Sequence, residues 1–465
     1  MNARYSQFIN EEEIAQILEK HQKPAPSKVR EVLSKAKEMK GLNQEDVAVL
    51  TNISDSMQLF ELFETANHIK EKIYGKRLVI FAPLYISNLC SNECSYCAFR
   101  VKNDLIVRRS LTQEEIVHKT ERLIRQGHKR VLLVAGESYP DNNFQYVIDS
   151  IDSIYQTHVN NGEIRRVNVN VAPLESDEFK RLRDARIGTY QLFQETYHGK
   201  TYQEVHLGGK KKDYQYRVTA LHRAMEAGIE NVGTGVLFGL YNFRFELLAL
   251  MQHIRELETV FGIGPHTISV PRIEPATGSQ FSSHPPYAVS DLNYRKIIAI
   301  LRLAVPYTGI IMSTRETTQM RRETFALGVS QISAGSITSP RRSMHKVQGE
   351  EGAECSLGDH RSLDEVVRDI AAMGYIPSFC NSCHRLGRTG LGFMDMAKPG
   401  EIKQHCNPNA ISTFMEYLMD YASYETRLIG EDLIEDVMDS MEGVARERAF
   451  LLLEKVKKGK RDMYC

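Results

Sequence analysis

Hydrophobic positions along this 465-residue chain change their period once, near residue 76. The stretch before it is charged and follows a helical repeat, with Pro24 and Pro26 marking a break. A helical extension over 1–75 that packs on a larger body is therefore expected. From residue 77, apolar or β-branched runs appear at 77–86, 130–135, 165–172, 189–194, 231–239, 266–272, 308–313 and 330–335. Amphipathic stretches of helical period separate most of them. Thr112-Gln-Glu-Glu115 reads as a capping box that opens one of these helices. Gly127, Gly188, Gly228 and Gly374 stand where helices end, as left-handed C′ glycines do. Strands alternating with helices eight times over about 300 residues predict a complete (β/α)8 TIM barrel spanning 76–375. A six-stranded open barrel would leave the last two strands without a place. After an eighth helix near 362–373, a Gly- and Cys-containing stretch and further helices near 408–457 predict a C-terminal unit over 376–465. The basic run Lys455–Arg461 reads as a solvated helix terminus.

Charge narrows the function classes. Lys+Arg and Asp+Glu balance at 59 each, so there is no electrostatic footprint for nucleic acid or an anionic membrane. The first residues lack an apolar signal core and no long apolar run occurs, so a soluble cytoplasmic protein is expected. Eight cysteines are too few for a disulfide scaffold in a chain this long. Their grouping favours metal ligation in a reducing compartment.

Cys90-x3-Cys94-x2-Cys97 places three thiolates on one loop directly after the first strand. Four thiolates normally hold a four-iron cluster, so three leave one iron open, as a catalytic centre requires. The carboxyl end of a strand is also where barrels keep their chemistry. A zinc site is the alternative, but no second Cys-x2-Cys or His pair lies near the loop. The spacing, with Tyr96 as the aromatic before the third cysteine, resembles the radical S-adenosylmethionine (SAM) superfamily. That resemblance implies a 4Fe-4S cluster whose open iron chelates SAM, and a 5′-deoxyadenosyl radical formed on one-electron reduction.

Other strand ends are polar too. Gly136 and Glu137 end the second strand, Asn168 and Asn170 alternate on the third, and Glu195 follows the fourth. Gly136, Glu137, Asn170 and Glu195 are the candidates for SAM. Arg217, also a candidate for SAM, and Arg315 are cations suited to the carboxylates of SAM and of an amino-acid substrate, with Arg321 next in line after Arg315. Arg315 and Tyr96 are candidates at the reacting centre. Each has a plain structural alternative: a helix cap for Glu137, an ion pair for Arg315, a buried polar network for the asparagines.

Cys380-x2-Cys383-x22-Cys406 forms a second set of three. A closed zinc site with His384 or His405 as fourth ligand is one reading. Both sets together resemble the HydG family, the tyrosine lyases that mature FeFe-hydrogenase. So do Gln194–His198, Gly264–Arg272 and Ser313–Glu316, and the resemblance covers nearly the whole chain. It implies that the radical takes a hydrogen from the amino group of L-tyrosine and the Cα–Cβ bond breaks, giving p-cresol and dehydroglycine. Dehydroglycine then becomes carbon monoxide and cyanide at an auxiliary 4Fe-4S cluster with an additional iron, for assembly of the hydrogenase H-cluster. An electron donor such as ferredoxin or flavodoxin and other hydrogenase maturation proteins are the implied partners. The related thiamine-pathway lyase, ThiH, lacks the second cluster. A non-catalytic iron–sulfur carrier or scaffold would not need polar residues at nearly every strand end.

Topology adds one expectation. The eighth helix runs to the bottom of the barrel, so Cys380 and Cys383 should lie at the end opposite Cys90, about 20 Å or more away across a seven-residue strand. His266 starts the sixth strand at that same end. It is the candidate ligand for the additional iron, a role the resemblance also implies, and the barrel interior should then be a polar channel. Cys355 and Cys465 fall outside both sets and read as incidental thiols.

Overall fold

A computed structural model describes residues 7–340, 353–386, 392 and 403–465. Eight parallel strands form the barrel: β1 (Arg77–Ser87), β2 (Arg130–Ala135), β3 (Arg166–Asn170), β4 (Tyr190–Gln191), β5 (Val232–Gly235), β6 (Thr267–Ser269), β7 (Gly309–Met312) and β8 (Gln331–Ser333). They pair in sequence order, and β8 closes the ring on β1 through Val79↔Gln331 and Phe81↔Ser333. Strands buried on both faces explain the continuous apolar runs rather than strict alternation.

A ninth strand, β9 (Ile376–Ser378), pairs in parallel with the first residues of β1, Arg77↔Ile376 to Val79↔Ser378. β2 takes over the same edge of β1 from Ala82 onward. The chain after β9 is thereby tucked under the start of β2, at the bottom of the barrel.

The helix that follows β1, Gln113–Arg125, opens with the capping box read from Thr112 and Glu115. Gly127, Gly228 and Gly374 take positive φ as expected, but Gly188 does not. The helix Ser176–Asp184 ends earlier, and Arg186 (φ 57°) makes the left-handed turn. Gly188 is instead needed for space: a Cβ there would lie 2.3 Å from the Arg166 Nε.

Four helices, Glu11–Lys20, Pro26–Ala36, Gln44–Thr51 and Ser56–Tyr74, make up the N-terminal extension. They pack on the barrel helices Phe243–Phe261 and Asp291–Ala304 and share one hydrophobic core with them. Among the described residues a short helix, Ser382–Arg385, and then three longer ones, Lys403–Asp420, Tyr424–Ser440 and Gly443–Lys457, follow β9. The first of the longer three is tied to the barrel floor by a buried pair, Arg165 Nη2 donating to Glu416 Oε1 at 2.7 Å. The terminal basic run is not wholly solvated, because Arg461 pairs with Asp420 at 2.5 Å. Among the described residues no helix is long and apolar enough to cross a membrane.

Candidate active site and second cysteine centre

Cys90, Cys94 and Cys97 open on a cavity at the carboxyl ends of the strands, lined also by Glu137, Asn170 and Arg315. The loop is held from both sides. Glu93–Cys94 pairs antiparallel with His206–Gly208, and Gly136 lets the end of β2 approach from below. A Cβ on Gly136 would lie 2.2 Å from the Leu89 carbonyl oxygen, so only glycine allows that approach. Tyr96 is buried in the same wall. His206 Nδ1 donates to the Tyr202 carbonyl, leaving Nε2 to accept from the Tyr96 hydroxyl at 2.9 Å.

Two carboxylates and two cations close one side of this cavity. Arg217 Nη1 donates to Glu137 Oε1 at 2.8 Å and its Nη2 lies 3.5 Å from Glu195 Oε1. Lys211 Nζ contacts Glu195 at 2.7 Å, and Asn92 Nδ2 donates to Glu137 Oε2 at 2.7 Å. Burial alone would push the Glu137 carboxyl up, but Arg217 and Lys211 outweigh it and hold it below the usual range. Glu195 adopts φ 73°, a conformation costly for a residue with a Cβ and common at functional sites. It is fixed by the following residues, since Glu246 accepts from Thr196 Oγ1 and, at 2.9 Å, from the Tyr197 amide. Asn170 donates to the Gln191 carbonyl at 2.8 Å.

Sequence reading missed Lys211, which sits inside the run Lys210-Lys-Lys212 and looks like a solvated cation. It also ranked arginines that the structure separates. Arg315 lines the cavity. Arg321 does not: it is buried against Asp359 and donates to the Ser333 carbonyl at 2.7 Å. Arg272 is likewise committed, to Glu316 at 2.5 and 2.8 Å and Asp291 at 2.7 Å.

At the opposite end, Cys380, Cys383, Cys406 and His266 line a second, smaller cavity with Arg77, Arg130 and Arg166. Arg130 Nη2 donates to the Cys380 carbonyl at 2.8 Å and its Nε to Asn381 Oδ1 at 2.9 Å. Burial, with Arg166 and Arg77 nearby, lowers the Arg130 guanidinium to about 9. His405 lies elsewhere, beside Arg448 at 3.3 Å, and the His384 side chain lies outside the described residues. The arginines were missed because each starts a strand, where a basic residue reads as solvent-facing. Counting back by twos from Asn170 would have placed Arg166 inward.

The two cavities are nearly continuous. Successive inward residues line the lower and then the upper one: Val79 and Phe81 on β1, Gly309 and Ile311 on β7, Gln331 and Ser333 on β8. Between them polar and apolar side chains share the interior: Val79, Phe81, Leu132 and Ile311 stand with Gln191, Gln331 and Ser333. A Cβ on Gly233 would meet Thr267 Oγ1 at 2.5 Å and Gln191 Cγ at 2.9 Å, so these side chains share the barrel axis.

Both donor sets are three thiolates, the ligand type of iron–sulfur clusters. Among the described residues no three Cys, His, Asp or Glu side chains converge as ligands of one ion do. Thiolates that each bind a different iron need no such convergence. In the lower cavity, buried Arg77 Nε has no hydrogen-bond partner, which suits an anionic group placed there.

A complete barrel with a three-cysteine loop after β1 defines a radical SAM enzyme. The Radical SAM superfamily model matches residues 84–254, and that of the Biotin and Thiamin Synthesis associated domain matches 269–376. A crystal structure of HydG, described as a maturase of the FeFe-hydrogenase, shares 45% identity, covering 99% of this chain and 100% of that one, with a TM-score of 0.94. HydG from Carboxydothermus hydrogenoformans shares 39% identity, covering 95% and 97%, with a TM-score of 0.83. The 2-iminoacetate synthase of Escherichia coli is 28% identical over 75% of this chain and 89% of its own. The chain belongs to the HydG family of hydrogenase maturases. With that membership come a 4Fe-4S cluster and SAM.

Proposed function

We propose that this chain is a tyrosine lyase that turns L-tyrosine into p-cresol and dehydroglycine and then into carbon monoxide and cyanide for the hydrogenase H-cluster. Cys90, Cys94 and Cys97 would hold the cluster and SAM, which would supply the radical chemistry that starts the cleavage. An auxiliary cluster with an additional iron, held by Cys380, Cys383, Cys406 and His266, supplies the site where the diatomic products collect. The residues do the positioning. Glu137, Asn170 and Glu195 present acceptors to the amino and ribose groups of SAM, while Arg217 and Lys211 hold the Glu137 carboxyl below its usual range. Arg315 takes the tyrosine carboxylate in a two-point fork. The three lower arginines place positive charge where anionic products would gather.

The observation that carries this reading is the pairing of two three-cysteine cavities at opposite ends of one barrel. A 2-iminoacetate synthase activity, suggested by the E. coli relative, would use the upper cavity alone. The test is anaerobic incubation of the iron-loaded protein with SAM, dithionite and L-tyrosine, with p-cresol and carbon monoxide both measured. Both products are expected. SAM cleavage without p-cresol would remove the lyase assignment, and p-cresol without carbon monoxide would favour the synthase.

A further inference from the structure

The segment after residue 352 crosses the mouth of the upper cavity and is stitched to three strand ends. The Glu354 amide donates to the Thr338 carbonyl at 3.0 Å, and the Ser356 amide to the Pro275 carbonyl at 3.0 Å. The amides of Gly358 and Asp359 both donate to the Thr314 carbonyl, at 2.9 and 3.1 Å. A Cβ on Gly358 would lie 2.6 Å from the Arg315 carbonyl oxygen, so this segment is pressed onto the residue expected to hold a carboxylate.

That packing sets one acid against Arg315. Glu354 Oε2 accepts from Arg315 Nη2 at 3.1 Å and from the Tyr85 hydroxyl at 2.5 Å, and all three line the cavity. Glu354 also lies close enough to Cys97 for its charge to bear on that thiol, after burial the next influence on it. An anion and a cation side by side in a half-closed pocket match a zwitterion, in which ammonium and carboxylate are separated by one carbon.

We propose that Glu354 and Arg315 form an α-amino-acid subsite, with Arg315 on the carboxylate and Glu354, oriented by Tyr85, on the ammonium. This rests on the lyase reading, and it adds the residue that turns the substrate amino group toward the cluster side, where its hydrogen must be taken. Glu274 is the rival acid. It lines the same cavity, and its carboxyl is raised by burial and by Glu316, with Arg272 and Arg315 opposing. It forms no part of the Glu354–Arg315–Tyr85 set.

Three ligands separate the contributions: L-tyrosine, 3-(4-hydroxyphenyl)propionate without the ammonium, and tyramine without the carboxylate. Their affinities are measured on the iron-loaded protein with SAM and no reductant, so that no turnover occurs. Glu354→Gln should weaken L-tyrosine about tenfold or more, the usual worth of a charge-assisted hydrogen bond. It should leave the propionate within about twofold, because its ammonium partner was never there. Arg315→Lys should weaken L-tyrosine and the propionate alike and spare tyramine. Glu274→Gln should change none of the three, and SAM affinity, unchanged throughout, reports an intact fold. Equal losses of L-tyrosine and propionate in Glu354→Gln would reduce Glu354 to a support for Arg315 and overturn the subsite. A selective loss in Glu274→Gln would move the ammonium there and overturn it too. If Arg315→Lys weakens no ligand, the carboxylate role in the lyase reading itself fails, whatever Glu354 does.

Discussion

Replacing Arg217 with methionine should cost more stability than any surface change, and the cost should depend on pH. With all four groups ionised, Glu137, Glu195, Lys211 and Arg217 sum to zero charge. The substitution leaves two carboxylates against one lysine, whose Nζ is 2.7 Å from Glu195 but 3.9 Å from Glu137. At 2.8 Å from Arg217, Glu137 gains about 6 kcal/mol of gross attraction at an effective dielectric near 20. Much of that offsets desolvation. Stranding one member of a buried pair typically costs about 3–5 kcal/mol net, and Arg217 is only 3% exposed.

The pH dependence follows from the direction of the Glu137 shift. In the native protein its carboxyl is held below the usual glutamate range, burial notwithstanding, by Arg217 and Lys211. Its contribution is therefore present above the ordinary glutamate pKa and lost as pH falls through the folded value. Without Arg217, burial acts with less opposition and the carboxyl rises. The difference between native and Arg217→Met should then be largest near pH 8. It should shrink by up to about 1.4 kcal/mol per pH unit once the variant carboxyl takes up its proton. Urea unfolding of the anaerobic protein at pH 8 and pH 5.5 measures this. A loss below about 1 kcal/mol at both values would show a weakly coupled, water-screened network and refute the reasoning.

Further outcomes follow from single contacts. Gly136→Ala should push the Leu89 carbonyl and the first cysteine away, lowering iron bound at Cys90, Cys94 and Cys97 and cutting SAM cleavage about tenfold or more; iron per chain in a background lacking the second set checks it. Glu246 is raised to about 8 by burial, so the native state holds a proton that the unfolded chain releases near pH 4.5. Stability should fall by up to about 1.4 kcal/mol per pH unit between those values, and Glu246→Gln should flatten that slope in melting temperature against pH.

Much of this was legible in the sequence because barrel strands are buried on both faces and announce themselves as apolar runs. The capping box at Thr112, the cysteine loop after β1 and the opposite placement of Cys380 all followed from period and connectivity. What stayed hidden was direction. Lys211 turns inward from a run of three lysines only because Asn92 Oδ1 accepts from its amide at 3.0 Å and Glu195 draws in its side chain. Arg272 and Arg321 have the same composition signal as Arg315, yet each is spent on a carboxylate outside the cavity, Glu316 and Asp359, whereas Arg315 and its partner Glu354 both line it. Glu354 reaches Tyr85 across 269 positions, and no local pattern marks such a contact.

The central claim is a division of labour between two ends of one barrel, and paired cysteine variants test it most directly. Iron-loaded native protein, Cys90→Ala/Cys94→Ala/Cys97→Ala and Cys380→Ala/Cys383→Ala are each given SAM, dithionite and L-tyrosine, and methionine, p-cresol and carbon monoxide are measured. The first variant should make none of the three while still binding iron. The second should cleave SAM and release p-cresol but form no carbon monoxide. Loss of SAM cleavage in the second variant with its fold intact, or carbon monoxide from it at the native level, would contradict the account.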